Sequence, residues 1–346
     1  MRSKLVTTNG MIILDDIETA DGYHHTDVIG GAGTYAIISS SIIYPGGSEW
    51  IVDRGEDFPK EVTSRIEKWN SGAVFRDDPS RMTTRGSNVY GANDLRQFQY
   101  LTPKKQITVN DWVGCFGADN VAQLSCFHLV CSPSRVLEIF DDLLRVPGYH
   151  RGHATFVWEP LPDSMIPLNF EVVTKILNLD EDIVFSPNAE EAARLFGQDE
   201  PLDIEGCVAL LQKFGTIMKP GNIGVLRCGK IGSIVLSSGP NREIHHSPAY
   251  HSLTQGQVID PTGGGNAFLG GFCMAFALTR DLQISNICGS VTAGCAIEQI
   301  GPCEFDSTTG LINGSAAFPE RLAHYLKSYN IALNAEEVCR QLSEIS

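Results

Sequence analysis

Residues 258–272 read Val-Ile-Asp-Pro-Thr-Gly-Gly-Gly-Asn-Ala-Phe-Leu-Gly-Gly-Phe. An apolar pair that can end a strand meets an Asp, then a turn with three glycines, then an apolar run of helical character. Glycine lets successive backbone N–H groups converge on one point, and a helix starting there adds the positive end of its dipole. The run therefore predicts a strand, turn and helix that together cradle phosphate. No Lys-Ser or Lys-Thr follows the glycines and no GxxxxGK occurs, so this is not a P-loop. Taken alone, such a turn is equally consistent with a purely structural bend.

Short apolar runs alternate with helical patterns along the rest of the chain. Residues 11–14 read as a strand ending at Asp15-Asp16, and 154–158, 183–185, 224–227 and 232–236 read as further strands. Residues 36–44 suit a helix or a strand, whereas 133–144, 189–196, 208–214 and 284–299 read as helices. This alternation predicts an α/β fold with a mostly parallel sheet covered on both faces. Ligands in such sheets bind at the carboxyl ends of the strands. Asp15, Glu159, Asn188 and Asp260 each follow a predicted strand. Residues 83–101 differ, because polar and apolar residues alternate on both sides of Gly91-Ala92-Asn93-Asp94, a turn signal. That pattern predicts a hairpin outside the main sheet, placed to serve as a lid. No repeat or long linker interrupts the chain, so residues 1–346 read as a single domain with the hairpin inserted at about 83–101.

The net charge of −15, without Lys/Arg clusters, argues against direct nucleic-acid binding. The apolar run 267–278 is too short to span a membrane. Ten scattered cysteines form no CxxC, and the first ten residues lack the apolar core of a signal peptide. Reduced, buried thiols and a cytoplasmic location, with the nucleus as a second one, are expected. His150, His153, His245, His246 and His251 have no completing ligand at metal-site spacing and read as surface histidines. Phe268, Phe272 and Phe276, four residues apart, read as core packing. Residues 31–36 fit the dinucleotide pattern GxGxxA, but His24-His25-Thr26-Asp27 before it makes a poor buried strand, which disfavours a dehydrogenase.

Asp260, Thr262, Gly263, Gly265 and the small-residue helix after them match the signature Asp-Thr-Thr-Gly-Ala-Gly-Asp. On these residues the chain resembles the ribokinase/PfkB family of carbohydrate kinases, and looks closest to its fungal maintenance-of-killer branch. Other stretches agree in order. Ile29-Gly30-Gly31-Ala32-Gly33 resembles the Gly-Gly signature that lines the sugar site, and Asp15 or Asp16 resembles the Asp that binds sugar hydroxyls. The resemblance puts Asp260 on the substrate side as well. Asn188-Ala189-Glu190-Glu191 resembles the Asn-x-x-Glu motif, which implies phosphate contact for Asn188 and Mg²⁺ for Glu191. Residues 225–232, with Arg227, Gly229 and Gly232, resemble the strand and turn that approach the nucleotide, and Thr262 joins them. Residues 293–301 resemble the helix that closes the adenine side. The resemblance spans about residues 8–330. It implies a ribokinase-like three-layer sandwich with helices on both faces and a small β lid. It also implies ATP and Mg²⁺, a sugar or small polyol as acceptor, and a homodimer through the lid. Asn188 and Glu191 could instead simply cap a helix, and Asp15 and Asp16 simply end a strand.

Three positions depart from the family pattern. Asn266 stands where the signature ends in the Asp that takes the hydroxyl proton. An amide is not basic, although it can orient a hydroxyl. General-base catalysis contributes about 10²–10⁴ in rate, so a slow kinase is expected, with Gly263, Gly264 and Gly265 holding phosphate. Tyr35 replaces a usual Asn near the sugar site, and Arg227 a usual Thr. The alternatives are a nucleotide- or ligand-binding pseudokinase acting through protein partners, and a purely structural protein.

Overall fold

The computed structural model describes residues 3–19, 22–90, 96–240 and 242–344. In chain order the strands are β1 Val6–Thr8, β2 Ile13–Glu18, β3 His24–Gly30, β4 Trp50–Arg54, β5 Ala73–Asp77, β6 Arg85–Tyr90, β7 Arg96–Tyr100, β8 Cys126–Cys131, β9 Thr155–Pro160, β10 Asp182–Phe185, β11 Ile223–Arg227, β12 Ser233–Ser237 and β13 Ile244–Ser247.

Side-chain size sorts the two faces of the main sheet. Successive residues of a strand point to opposite faces. Val157, Val184, Val225 and Val235 face one way, into a core shared with the helices Ala32–Ile43, Gly264–Thr279 and Leu282–Ala296. Phe156, Trp158, Phe185 and Leu226 face the other way, into a core shared with Pro133–Leu143, Phe170–Ile176, Ala189–Leu195 and Ile204–Ile217. The order is β1-β8-β9-β10-β11-β12-β13, with β1 to β11 parallel and β12 and β13 antiparallel at one edge. Beyond β1 the parallel pair β4-β5 continues the layer, tied on where Val6 bridges Ser48. This is the expected three-layer, mostly parallel arrangement.

The valine face is where backbones come closest. A Cβ added at Gly270 would lie 1.9 Å from the carbonyl oxygen of Ala36, so two helices touch main chain to main chain there. Ser40 Oγ reinforces the crossing by donating to the Gly270 carbonyl at 2.8 Å. Gly270→Val is therefore expected to cost about 3 kcal/mol or more, since overpacking against backbone cannot relax by a rotamer change. A urea unfolding midpoint equal to the native one would refute this. Phe268, Phe272 and Phe276 are buried on the same helix with successive rings stacked, as read from their spacing.

A second sheet has the order β3-β2-β6-β7. β6 and β7 pair antiparallel within the segment 83–101. The turn signal Gly91-Ala92-Asn93-Asp94 lies outside the described residues. The sheet is wider than a hairpin, because β2 pairs with both β3 and β6. Asp15 and Asp16 thus lie within a strand rather than after one. The histidine-rich strand β3 exists, but its first four residues are exposed, so it needs no apolar sequence.

Other expectations shift as well. Residues 36–43 belong to the helix Ala32–Ile43, and Tyr44 caps its end in an extended conformation. Val258 and Ile259 are exposed and form no strand, so Asp260 leaves a loop. Glu159 lies inside β9. His251 is buried rather than on the surface, because it bonds Glu298 Oε1 at 3.1 Å through Nε2. All ten thiols are free, and only Cys115 and Cys339 are partly exposed. Among the described residues no helix is long and apolar enough to cross a membrane.

Candidate active site

The parallel strands bring Thr8, Glu159 and Arg227 to the carboxyl half of β1, β9 and β11, with His128 mid-way along β8 and Asn188 just after β10. The glycine turn meets this edge from the helix layer. Gly263 has φ of 77°, the left-handed region that glycine enters without strain. Asp260 Oδ1 accepts the Thr262 N–H at 2.9 Å, which braces the turn before the helix. No side chain caps the helix Gly264–Thr279, which leaves first-turn N–H groups to face an anion. Tyr35 lies beneath the turn, its ring 2.3 Å from where a Gly263 Cβ would be. Tyr35 thus packs beneath the glycine turn, where the helices Ala32–Ile43 and Gly264–Thr279 both begin.

Asn266 is tied to a buried polar chain. Its Nδ2 donates to Glu159 Oε2 at 2.7 Å. Arg227 Nη1 reaches Glu159 Oε1 at 2.8 Å, and Arg227 Nη2 donates to the Ser186 carbonyl at 3.0 Å. His128 Nε2 stands 3.4 Å from Glu159 Oε2, and its Nδ1 is 3.0 Å from Thr8 Oγ1. Burial alone would raise the Glu159 pKa. The charge of Arg227, with the contacts from His128 and Asn266, overrides burial and holds it down at about 2. Glu159 is therefore ionised at neutral pH. Since it takes the Asn266 nitrogen, the amide oxygen is the atom that can accept a hydrogen bond from a substrate hydroxyl.

Asn188 and Glu191 form a reciprocal cap. Asn188 Oδ1 accepts the Glu191 N–H at 2.7 Å, and Glu191 Oε2 accepts the Asn188 N–H at 2.8 Å. Glu191 Oε2 also lies 3.7 Å from Arg227 Nη2. Burial raises the Glu191 pKa, and the Arg227 charge offsets that only partly. The donor set does not fit a protein-bound Mg²⁺. Glu159 and Glu191, the two carboxylates at this edge, both already face the Arg227 guanidinium.

The strand alternation of β2 separates the two candidate aspartates. Asp15 is buried and its carboxylate lies over Gly30 and Gly86 on the neighbouring strands. Asp16 points the other way, 3.9 Å from Arg85 Nη1. Gly31, with φ of 93°, precedes the helix Ala32–Ile43 and follows Gly30, over which the Asp15 carboxylate lies. Gly229 and Gly232 build the tight turn between β11 and β12, closed by the Cys228 N–H on the Gly232 carbonyl at 2.7 Å.

A family model described as pfkB family carbohydrate kinase matches residues 176–309. Protein MAK32 of Saccharomyces cerevisiae is 45% identical over 351 residues, spanning 98% of this chain and 96% of that protein. The chain belongs to the pfkB carbohydrate kinase family. An uncharacterised Schizosaccharomyces pombe protein is 32% identical over 343 residues, spanning 92% of this chain and 91% of its own length. Ribokinase from Giardia lamblia superposes with a TM-score of 0.69 at 18% identity, covering 95% of this chain and 100% of that one, so the pfkB chain has the ribokinase-like fold.

Thr8 and His128 join the polar chain at Asn266 without any sequence motif to mark them, and Glu159, expected after a strand, joins it from within β9. His128 and Glu159 each interrupt an apolar strand, and a polar residue in a doubly covered strand is the signal that marks them.

Proposed function

We propose that the chain binds ATP at the glycine turn and transfers its terminal phosphoryl group to a hydroxyl of a sugar or small polyol, at a low rate. The observation that carries this reading is the uncapped helix start at Gly263–Gly265 meeting Asn266, Glu159 and Arg227 at the strand ends. Phosphoryl transfer depends mainly on positioning and electrostatic stabilisation, which this arrangement supplies. Proton transfer is the weak element. Asn266 orients the acceptor hydroxyl but cannot take its proton. The nearest carboxylate, Glu159, is held at a pKa of about 2 and is a poor base. The pfkB family generally works with ATP and Mg²⁺. In this reading Asp15, buried with its carboxylate over Gly30 and Gly86, meets the substrate hydroxyls.

The Asn266–Glu159 bond also favours a second reading, a pseudokinase that binds nucleotide or a small ligand and signals to protein partners. Val89, Phe98 and Tyr100 of the small sheet are exposed and would suit self-association through it. The free, mostly buried thiols agree with a reducing compartment such as the cytoplasm or nucleus.

Calorimetry with ATP tests both readings, and a panel of sugars, nucleosides and polyols separates them. Heat without transfer to any acceptor selects the pseudokinase. Gly263→Val forces a strained φ and a clash with Tyr35, so ATP affinity should fall at least about tenfold. Unchanged affinity in a folded Gly263→Val protein would remove the glycine turn from the site.

A further inference from the structure

We propose that Arg227 replaces a protein-bound divalent cation at the glycine turn, so that polyphosphate binds this chain without metal. The inference rests on the phosphate-binding reading above and extends it to the charge balance of the site.

The position of the guanidinium is the first support. It lies between two carboxylates, 2.8 Å from Glu159 Oε1 and 3.7 Å from Glu191 Oε2. It also packs on the helix start, with Nη1 2.3 Å from where a Gly265 Cβ would be. A cation that sought these carboxylates would meet a positive charge already there. The remaining oxygen of Glu159 is held by Asn266, and Glu191 Oε2 by the Asn188 N–H.

Charge counting gives independent support. Asn266 in place of the signature Asp removes one negative charge. Arg227 in place of the usual Thr adds one positive charge. The two departures lie on different strands and helices, yet both touch Glu159. Together they change the site by two positive charges, which is the charge of one Mg²⁺ ion. The guanidinium thereby offsets one of the two carboxylates it faces, Glu159 and Glu191, with protein charge alone.

The chemistry of the side chain completes the case. Arg presents five N–H donors in a planar fork suited to phosphate oxygens. Glu159 and the Ser186 carbonyl engage one donor on each terminal nitrogen, while buried Nε finds no hydrogen-bond partner among the described residues. Donor capacity therefore remains for an anion arriving at the turn.

The test is calorimetry on the full chain with ATP and, separately, sodium tripolyphosphate, each in EDTA and in excess Mg²⁺. In the native protein both dissociation constants should differ by less than about threefold between the two conditions. Arg227→Thr should make binding metal-dependent, at least about tenfold weaker in EDTA than in Mg²⁺. Arg227→Lys keeps the charge and should stay metal-independent. It carries the comparison, with the native protein, if thermal unfolding shows that Arg227→Thr does not fold. Tripolyphosphate binding to the native protein that requires Mg²⁺ would overturn the inference and leave the kinase reading standing. Tripolyphosphate binding in EDTA without ATP binding would overturn the kinase reading and leave this one. Binding of neither ligand overturns both.

Discussion

Asn266→Asp should raise phosphoryl-transfer turnover at least about tenfold, because it supplies the proton acceptor that the amide cannot be. The structure adds a condition. The new carboxylate would face Glu159, whose Oε2 lies 2.7 Å from the present amide nitrogen. Two carboxylates in contact share a proton, and the pair titrates with one raised apparent pKa. Arg227 moderates the repulsion from its place on Glu159 Oε1. The gain should therefore grow as pH rises through the upper pKa of the pair, while the native profile stays flat over that range. Initial rates at a series of pH values, for both proteins with the same acceptor, measure it. Equal turnover at every pH, with ATP binding intact in both, would mean that proton acceptance is not what limits this site.

Glu159→Ala is expected to have the largest effect on stability. It leaves the Arg227 guanidinium, only 12% exposed, without its principal counter-charge. Removing one member of a buried pair costs about 3–5 kcal/mol, mostly because the other charge stays buried alone. Glu159→Gln keeps the shape and separates charge from packing through pH. The folded-state pKa of Glu159 is about 2, against an ordinary value of 4.5. A lowered carboxyl pKa contributes stability that is complete above the unfolded value and is lost as pH falls through the folded one. The window thus runs from about pH 5 down to about pH 2. Glu298 acts in the same window, since burial is outweighed by His251, Arg321 and Asn313 and its pKa also falls to about 2. Glu191 has the opposite sign, because its pKa is raised and protonation favours its folded form. Urea midpoints from neutral to acidic pH should drop steeply in the native protein and less steeply in Glu159→Gln. Identical slopes would show that Glu159 carries no linkage.

Much of the site was legible because it is local. The turn Asp260 to Asn266 is one continuous segment, and three glycines before a helix leave few backbone options. The Asn188–Glu191 pair was equally visible, but its two roles were not separable, since a cap and a metal motif share the same spacing. The structure forms the cap, with both reciprocal hydrogen bonds present and Glu191 Oε2 engaged in it. Asp15 and Asp16 could not be told apart along the chain. One residue of strand period decides which is buried, and that required knowing that β2 continues through both. Tyr35 was placed near the sugar side by its neighbours in sequence, and only helix packing shows that its ring lies beneath Gly263.

The sequence by itself determined the alternation of strands and helices, the glycine turn and the amide that stands at position 266. Each depends on periodicity, backbone freedom or the chemistry of a single side chain. Only the tertiary structure decided that Glu159, Arg227 and Glu191 meet. They lie on or just after β9, β11 and β10, and parallel strands pair across long crossovers whose register no local pattern encodes. The charge balance at Asn266 belongs to that second class, because an ion pair between distant residues exists only once the sheet order has placed them side by side.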